Sequence, residues 1–351
     1  MELYSSHLVL LTVVVLVWGS YRVNSAPADE IRRLEDCVQE FLSHEVDNAV
    51  IRDDKPTEER RNEYKTWTRQ YGTESLGISN SEEEHGKRVV VGTPMERDQW
   101  PWLVSLHFLR PIVFTEKTGM QHVCGGTIIS TNPVWVLTAG HCFSEDVHEG
   151  FSNPDNWDVV IGEYNQYKKE AGEIKAHIDE IHLHSNFSVN TLLYDIALLK
   201  LRPIEQLQLE DLADLDDGEF QPGQQCSVAG WGQVSFHPYG WGNFIPLITS
   251  VCLIDNDLCS EMYSASKTQT FFIDQTTICA GSNEGHDACL GDSGGPLMCQ
   301  SPEDDRWKLV GVVSTGNECG RKDFPGIYTR VAFYRSWIDE VIEVTNTHLE
   351  V

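Results

Sequence analysis

The 351-residue chain is short of positive charge: 26 Lys and Arg stand against 54 Asp and Glu, for a net charge of −28. That deficit argues against the basic surface that nucleic acid or heparin requires. A long hydrophobic run is also missing. The N-terminal run Leu8–Trp18 has 11 residues and is broken by Thr12, whereas a membrane-spanning helix needs about 20. It reads as the apolar part of a secretory signal over residues 1–26, with Ser25 and Ala26 at the cleavage site, although Lys and Arg are absent from its start. A membrane anchor is the alternative. Cys-x2-Cys pairs are absent among the ten cysteines, which argues against zinc. In a secreted chain, ten cysteines read as disulfides. The expectation is a secreted, extracellular protein with no membrane or nucleic-acid partner.

What is present divides the chain. Residues 27–88 carry 16 acidic and 10 basic side chains and no glycine before Gly72. Ile31, Leu34, Val38 and Leu42 recur at helical spacing, which predicts an amphipathic helix over 29–46. The following stretch is polar and ends in Glu82-Glu83-Glu84-His85-Gly86-Lys87-Arg88. From Val89 onward short apolar runs alternate with Gly, Pro, Asn and Asp. Examples are Trp102–Leu106, Val134–Leu137, Val159–Ile161 and Leu309–Val313. This spacing predicts an all-β barrel architecture. A helical apolar stripe in Tyr334–Ile342 predicts a C-terminal helix. Residues 89–351 hold 37 acidic and 15 basic residues, a field that steers basic substrates weakly or serves solubility alone.

Three flanked motifs carry chemistry. His141 lies in Leu137-Thr138-Ala139-Gly140-His141-Cys142, Asp195 opens Asp195-Ile196-Ala197-Leu198-Leu199-Lys200, and Ser293 lies in Gly291-Asp292-Ser293-Gly294-Gly295-Pro296. A serine hydroxyl attacks only when a base takes its proton, and that base needs an orienting carboxylate. With these motifs in the order His, Asp, Ser, the segment from Val89 to Glu343 resembles the trypsin-like serine proteases.

The resemblance implies two six-stranded antiparallel β-barrels with a C-terminal helix, which the pro-region, partly helical by its own spacing, would precede. The acidic stretch Glu205–Glu219 would connect the barrels. It implies a secreted zymogen of an endopeptidase that cleaves after Arg or Lys through an acyl-enzyme. Ser293 would be the nucleophile, His141 the base and Asp195 the orienting acid. The N–H groups of Gly291 and Ser293 would receive the oxyanion. Asp287, six residues before the serine, would lie at the pocket floor and pair with a basic side chain. Gly316 and Gly326 would leave room in its walls. Ala288 stands where some relatives have Ser, which favours Arg over Lys. Ser314-Thr315-Gly316 would pair with the substrate backbone, with Thr315 where the family usually has an aromatic residue.

Cleavage after Arg88 would free Val89, whose ammonium would pair with Asp292. Val89 stands in place of the commoner Ile, and Val91 in place of a usual Gly. No cofactor is implied for catalysis. Calcium is implied by Glu163, Glu170 and Glu173 with the carbonyls of Asn165 and Lys168, surface glutamates being the alternative. Family pairs match Cys124–Cys142, Cys226–Cys299, Cys259–Cys279 and Cys289–Cys319. Cys37 and Cys252 remain. Elimination joins them, holding residues 27–88 as a light chain, while free thiols or an intermolecular bridge stay open. Asn186-Phe187-Ser188 is a glycosylation sequon. Expected partners are protein substrates, an activating protease and protein inhibitors. A retained light chain favours a regulatory cascade. The alternatives are a catalytically silent binding module and a digestive trypsin.

Overall fold

The computed structural model describes residues 92–110, 121–205, 207, 209, 212–233, 243–264, 270–282, 287–321 and 324–347. The expected signal, the helix over 29–46, Cys37, Arg88 and Val89 lie outside them.

A two-residue strand, β1 (Thr93–Pro94), comes first. Six strands then close a barrel: β2 (Leu103–Phe108), β3 (His122–Thr131), β4 (Val134–Thr138), β5 (Trp157–Ile161), β6 (Ile174–Leu183) and β7 (Ala197–Leu201). Their order around the barrel is β2-β3-β4-β7-β6-β5, with every pair antiparallel. β4 and β5 are buried throughout and apolar except at Thr138 and Asp158, as strands covered on both faces are. β6 instead alternates, with Ala176 and Ile178 inward and Lys175, His177 and Asp179 outward, the period of two that pleating imposes.

The second half contains β8 (Asp214–Leu215), β9 (Gln225–Gly230), β10 (Leu247–Ile254), helix α1 (Asn256–Ser264), β11 (Thr277–Gly281), β12 (Pro296–Gln300), β13 (Trp307–Thr315) and β14 (Gly326–Arg330). The ring β9-β10-β11-β14-β13-β12 closes a second six-stranded antiparallel barrel. β1 is added to it on β10, pairing Thr93 with Ile248 and Pro94 with Leu247. β8, in the acidic connection, runs parallel to β13. Arg306 and Lys308 of β13's end answer that acidity by pairing with Asp214 and Glu219.

The C-terminal helix α2 (Val331–Thr347) is longer than the stripe that predicts it. Val331, Tyr334, Ile338 and Thr345 are buried on one face, three, four and seven residues apart as an amphipathic helix requires. Helix α1 has no such sequence signature, because Cys259 and Tyr263 are its only buried residues. Asp255 caps it, its Oδ1 accepting from the N–H groups of Asp257 and Leu258 at 2.9 and 3.3 Å.

The four expected family disulfides are present. Cys252 is itself disulfide-bonded. It lies in β10 within a run, Val251–Ile254, that is buried throughout. Among the described residues no helix is long and apolar enough to cross a membrane.

Aromatic packing anchors the first barrel. Trp157 is fully buried against Phe108, Phe143 and Phe151, with ring centroids at 5.0, 4.7 and 5.2 Å, and its indole N–H donates to the Phe151 carbonyl at 2.8 Å. Trp157→Ala should therefore lower the unfolding free energy by about 3–5 kcal/mol. Trp157→Phe should cost less, since it loses the N–H but keeps most of the contact area. Urea unfolding of the two variants checks the order.

Candidate active site

The site stands where the two barrels meet. His141 follows β4 in a short 3-10 turn, Gly140–Phe143, tied to β3 by the Cys124–Cys142 disulfide. Asp195 lies just ahead of β7 and is fully buried. Its Oδ1 accepts from the His141 backbone N–H at 2.7 Å and its Oδ2 from His141 Nδ1 at 2.8 Å. A carboxylate accepts only, so Nδ1 carries the proton and Nε2 remains a lone-pair base. Burial alone would lower the His141 pKa, but the Asp195 charge and hydrogen bond outweigh it, and the net direction is up. Asp195 is held below the usual carboxylate range: burial pushes it up, and His141 and Ser314 more than reverse this.

The second barrel grips this acid. Ser314 Oγ donates to Asp195 Oδ2 at 2.5 Å, and Thr329 Oγ1 donates to the Asp195 carbonyl at 2.6 Å. The sequence reading places Ser314 only in the backbone segment that pairs with substrate. Its side chain has this other task, which no local motif reveals.

Ser293 sits in a loop with glycines on either side. Gly291 and Gly294 have φ of +100° and +78°, a region glycine enters freely. At Gly294 a Cβ would overlap Thr138 Oγ1 and the Gly125 carbonyl. The Ser293 carbonyl accepts from Gly125 N–H at 2.8 Å, and Thr138 Oγ1 bonds the Gly125 carbonyl at 2.9 Å. These bonds fix the serine loop to β3 and β4, which carry the histidine. Among the described residues no hydrogen bond joins the Ser293 hydroxyl to His141.

The Gly291 peptides are held from two sides. The Leu290 carbonyl accepts from Gln233 N–H at 2.8 Å. A trans peptide points its N–H opposite its carbonyl, so the Gly291 N–H faces away from Gln233. The Gly291 carbonyl accepts from His122 Nε2 at 2.7 Å, and His122 Nδ1 meets Ser105 Oγ at 2.7 Å. Burial, with His107 nearby, pushes the His122 pKa down to about 4. The ring is thus neutral, donating to Gly291 and accepting from Ser105. His122 has no flanking motif among 13 histidines, and its partner is 169 residues away.

Asp287 is 5% exposed. Its oxygens accept from Ala288 N–H at 2.8 Å and Gly320 N–H at 3.2 Å. A Cβ on Gly326 would crowd Asp287 Oδ1 at 2.6 Å, so glycine is required there. Gly316 has no contact closer than 3.5 Å at its own Cβ position. Burial pushes the Asp287 pKa up to about 8, against the two N–H bonds and with a small push from Asp292. Asp292 is bonded by Gly232 N–H at 2.7 Å and Cys289 N–H at 2.9 Å, and burial still raises it to about 6. Both carboxylates line a small cavity of about 20 Å³, partly open to solvent, together with Gly92, Gly230, Gly232 and Asn243.

The calcium residues do not converge. Glu163 Oε2 is taken by His107 Nε2 and Gln166 Nε2, both at 2.9 Å. Glu170 pairs with Arg97 at 2.7 Å, and Glu173 accepts from Glu170 N–H at 2.9 Å. The Asn165 carbonyl accepts from Lys168 N–H at 3.0 Å. Among the described residues, the three-ligand set close enough for one ion is Cys124, His141 and Cys142, and its sulfurs are spent in a disulfide. As placed, Glu163, Glu170 and Glu173 do not fit an ion. Asn186 is exposed, as a glycosylation acceptor must be.

A stability prediction follows from the two raised carboxyls. Each binds its proton more tightly in the folded chain than in the unfolded one, so the fold holds more protons between about pH 4 and pH 8. Stability contributed by the protonated form is present at low pH and is lost as pH rises through the folded values. Asp287→Asn should raise the melting temperature of the uncleaved chain at pH 8 by several degrees. The difference from the parent should vanish near pH 4, which thermal melts at pH 4, 6 and 8 would show.

The family model described as Trypsin matches residues 89–338. Protein masquerade of Drosophila melanogaster is 33% identical over 284 residues, covering 76% of this chain and 24% of its own length. Transmembrane protease serine 7 of Rattus norvegicus is 35% identical over 262 residues, and that of Mus musculus 34% over 263. Each covers 73% of this chain and 28% of its own length. The chain therefore spans about a quarter of these curated relatives. With a matching model across the two barrels and an Asp–His pair at their junction, the chain belongs to the trypsin family of serine proteases.

Proposed function

We propose that the chain is a secreted zymogen of a serine endopeptidase that cleaves after Arg or Lys. The observation that carries this reading is the doubly bonded Asp195–His141 pair, which leaves Nε2 as a base at the barrel junction where the Ser293 loop is fixed. Ser293 Oγ attacks the substrate carbonyl, giving its proton to His141 Nε2. The Asp195 carboxylate stabilises the imidazolium that forms. The N–H groups of Gly291 and Ser293 receive the oxyanion, and each such donor is worth about 2.7–4 kcal/mol. Collapse expels the amine, which takes the proton back from His141, and water then releases the acyl group by the same route. Disulfides among the described residues favour an oxidising, extracellular setting. Protein inhibitors would occupy the same cleft as substrates.

Ser293→Ala should fold and be secreted yet lose more than about 10⁴-fold in kcat, because triad members act as a unit. Peptide hydrolysis after treatment with an activating protease measures this. Activity within tenfold of the parent would refute the assignment.

Specificity rests on Asp287, a buried carboxylate held by two backbone N–H groups and with no cationic side-chain partner among the described residues. A guanidinium or ammonium supplied by substrate would restore its charge balance. Asp287→Ser should cut kcat/KM for Arg substrates by about 10²–10⁴-fold, the range for a buried charge left unpaired. Reaction with a small serine-directed inhibitor should fall far less. Equal losses would make Asp287 a structural residue.

Activation is assigned to cleavage after Arg88 by another trypsin-like protease. Gly92, three residues beyond Val89, lines the cavity that contains Asp292, so the new terminus is within reach. A Cys37–Cys252 bridge would keep residues 27–88 attached and fit a regulatory enzyme. N-terminal sequencing of the active form under non-reducing conditions tests both points. The alternative reading, a catalytically silent binding module, is decided by the same Ser293→Ala comparison.

A further inference from the structure

Asn243 is 3% exposed and lines the same cavity as Asp292. Its Nδ2 donates to the Gly232 carbonyl. A carbonyl only accepts, so this bond fixes which end of the amide is which. The other end, Oδ1, is buried without a hydrogen-bond partner. A buried acceptor left unmade costs about 1–3 kcal/mol, and such a group in a native structure calls for an explanation, of which an absent partner is one.

Gly232 joins this amide to the acid. Its carbonyl receives Asn243, and its N–H donates to Asp292 Oδ1 at 2.7 Å. Among the described residues the buried Asp292 carboxylate has only backbone N–H donors, from Gly232 and Cys289, and no cation. Among the described residues lining the cavity there is no Lys, Arg or His. Among the described residues the titratable groups lining it are Asp292 and Asp287, and the buried Tyr328 lies close enough to feel both carboxylates. The remaining lining residues, on β9, β10 and residues 92, 232, 233 and 243, are uncharged, and neutral His122 sits behind on the Gly291 carbonyl.

The chain itself can supply the cation. Gly92 lines the cavity, and β1 is pinned beside it through Leu247 and Ile248. Three extended residues reach about 10 Å. We propose that Asn243 Oδ1 and the Asp292 carboxylate form a two-acceptor seat for the α-ammonium of Val89, with Asn243 as the neutral acceptor. This rests on the zymogen reading above and adds a residue that its motifs do not name. An ammonium has three donors, so a single carboxylate leaves it undersatisfied in a buried site. A model α-amino group titrates near pH 8, and burial lowers that value. The Oδ1 dipole favours the charged form and so extends the active state to higher pH.

The test compares the parent and Asn243→Ala, both cleaved after Arg88, by kcat/KM for an Arg peptide ester between pH 6 and pH 11. The parent should lose activity at an alkaline midpoint as Val89 deprotonates. In Asn243→Ala that midpoint should fall by about one pH unit, a tenfold change in the ammonium's acidity. A merely structural role would lower activity at all pH values without moving the midpoint. A second measurement needs no processing: the uncleaved Arg88→Gln chain is titrated with the dipeptide Val-Val, and Asn243→Ser in that background should bind it about tenfold more weakly. A parent with neither an alkaline transition nor dipeptide binding would overturn the zymogen reading itself. A parent with both, and variants with unchanged midpoint and affinity, would overturn the role of Asn243 alone.

Discussion

The burial of Asp292 constrains everything around it. A carboxylate has been taken out of water immediately before Ser293 and given two backbone N–H donors. Gly230 and Gly232 make room for it, since a Cβ at either position would overlap its oxygens. The same Gly232 holds Asn243, and the following residue, Gln233, holds the Leu290 carbonyl. The geometry of the Gly291 N–H thus depends on a loop organised around one buried charge. Burial makes that charge costly unless a cation meets it, and such a cation can report cleavage because it exists only once a terminus is free.

The second dependency crosses the barrels. The first supplies His141 and Asp195, the second supplies Ser293. Gly125 and Gly295 approach so closely that a Cβ on Gly125 would lie 3.0 Å from Gly295 Cα. Bonds then run in both directions: Gly125 N–H to Ser293, and Ser314 and Thr329 to Asp195. Each half therefore orients a catalytic group carried by the other.

Much of this was legible in the sequence. The motifs around His141, Asp195 and Ser293 marked the site, and the apolar runs Val134–Leu137, Val159–Ile161 and Leu309–Val313 fall within β4, β5 and β13. What was hidden depends on contacts between distant positions. His122 reaches Gly291, Ser314 reaches Asp195 and Asn243 reaches Gly232 through side chains whose flanking residues carry no pattern. Helix α1 escaped notice because a short helix with two inward residues has hardly any period to detect. The three glutamates show the converse. Their spacing suits an ion, but His107 and Arg97, remote in sequence, claim Glu163 and Glu170. Arg97 also lies over the Tyr164 ring at 4.6 Å, so a guanidinium sits in the loop's own contacts.

The grip of Ser314 and Thr329 on Asp195 bears on how such domains are recombined. A hybrid enzyme that joins one relative's first half to another's second half exchanges no recognisable motif member for a wrong one, yet it inherits its acid from one parent and that acid's clasp from the other. The halves are therefore not independent cassettes. A graft that keeps the Asp–His pair working has to carry hydroxyls at positions 314 and 329 across the seam.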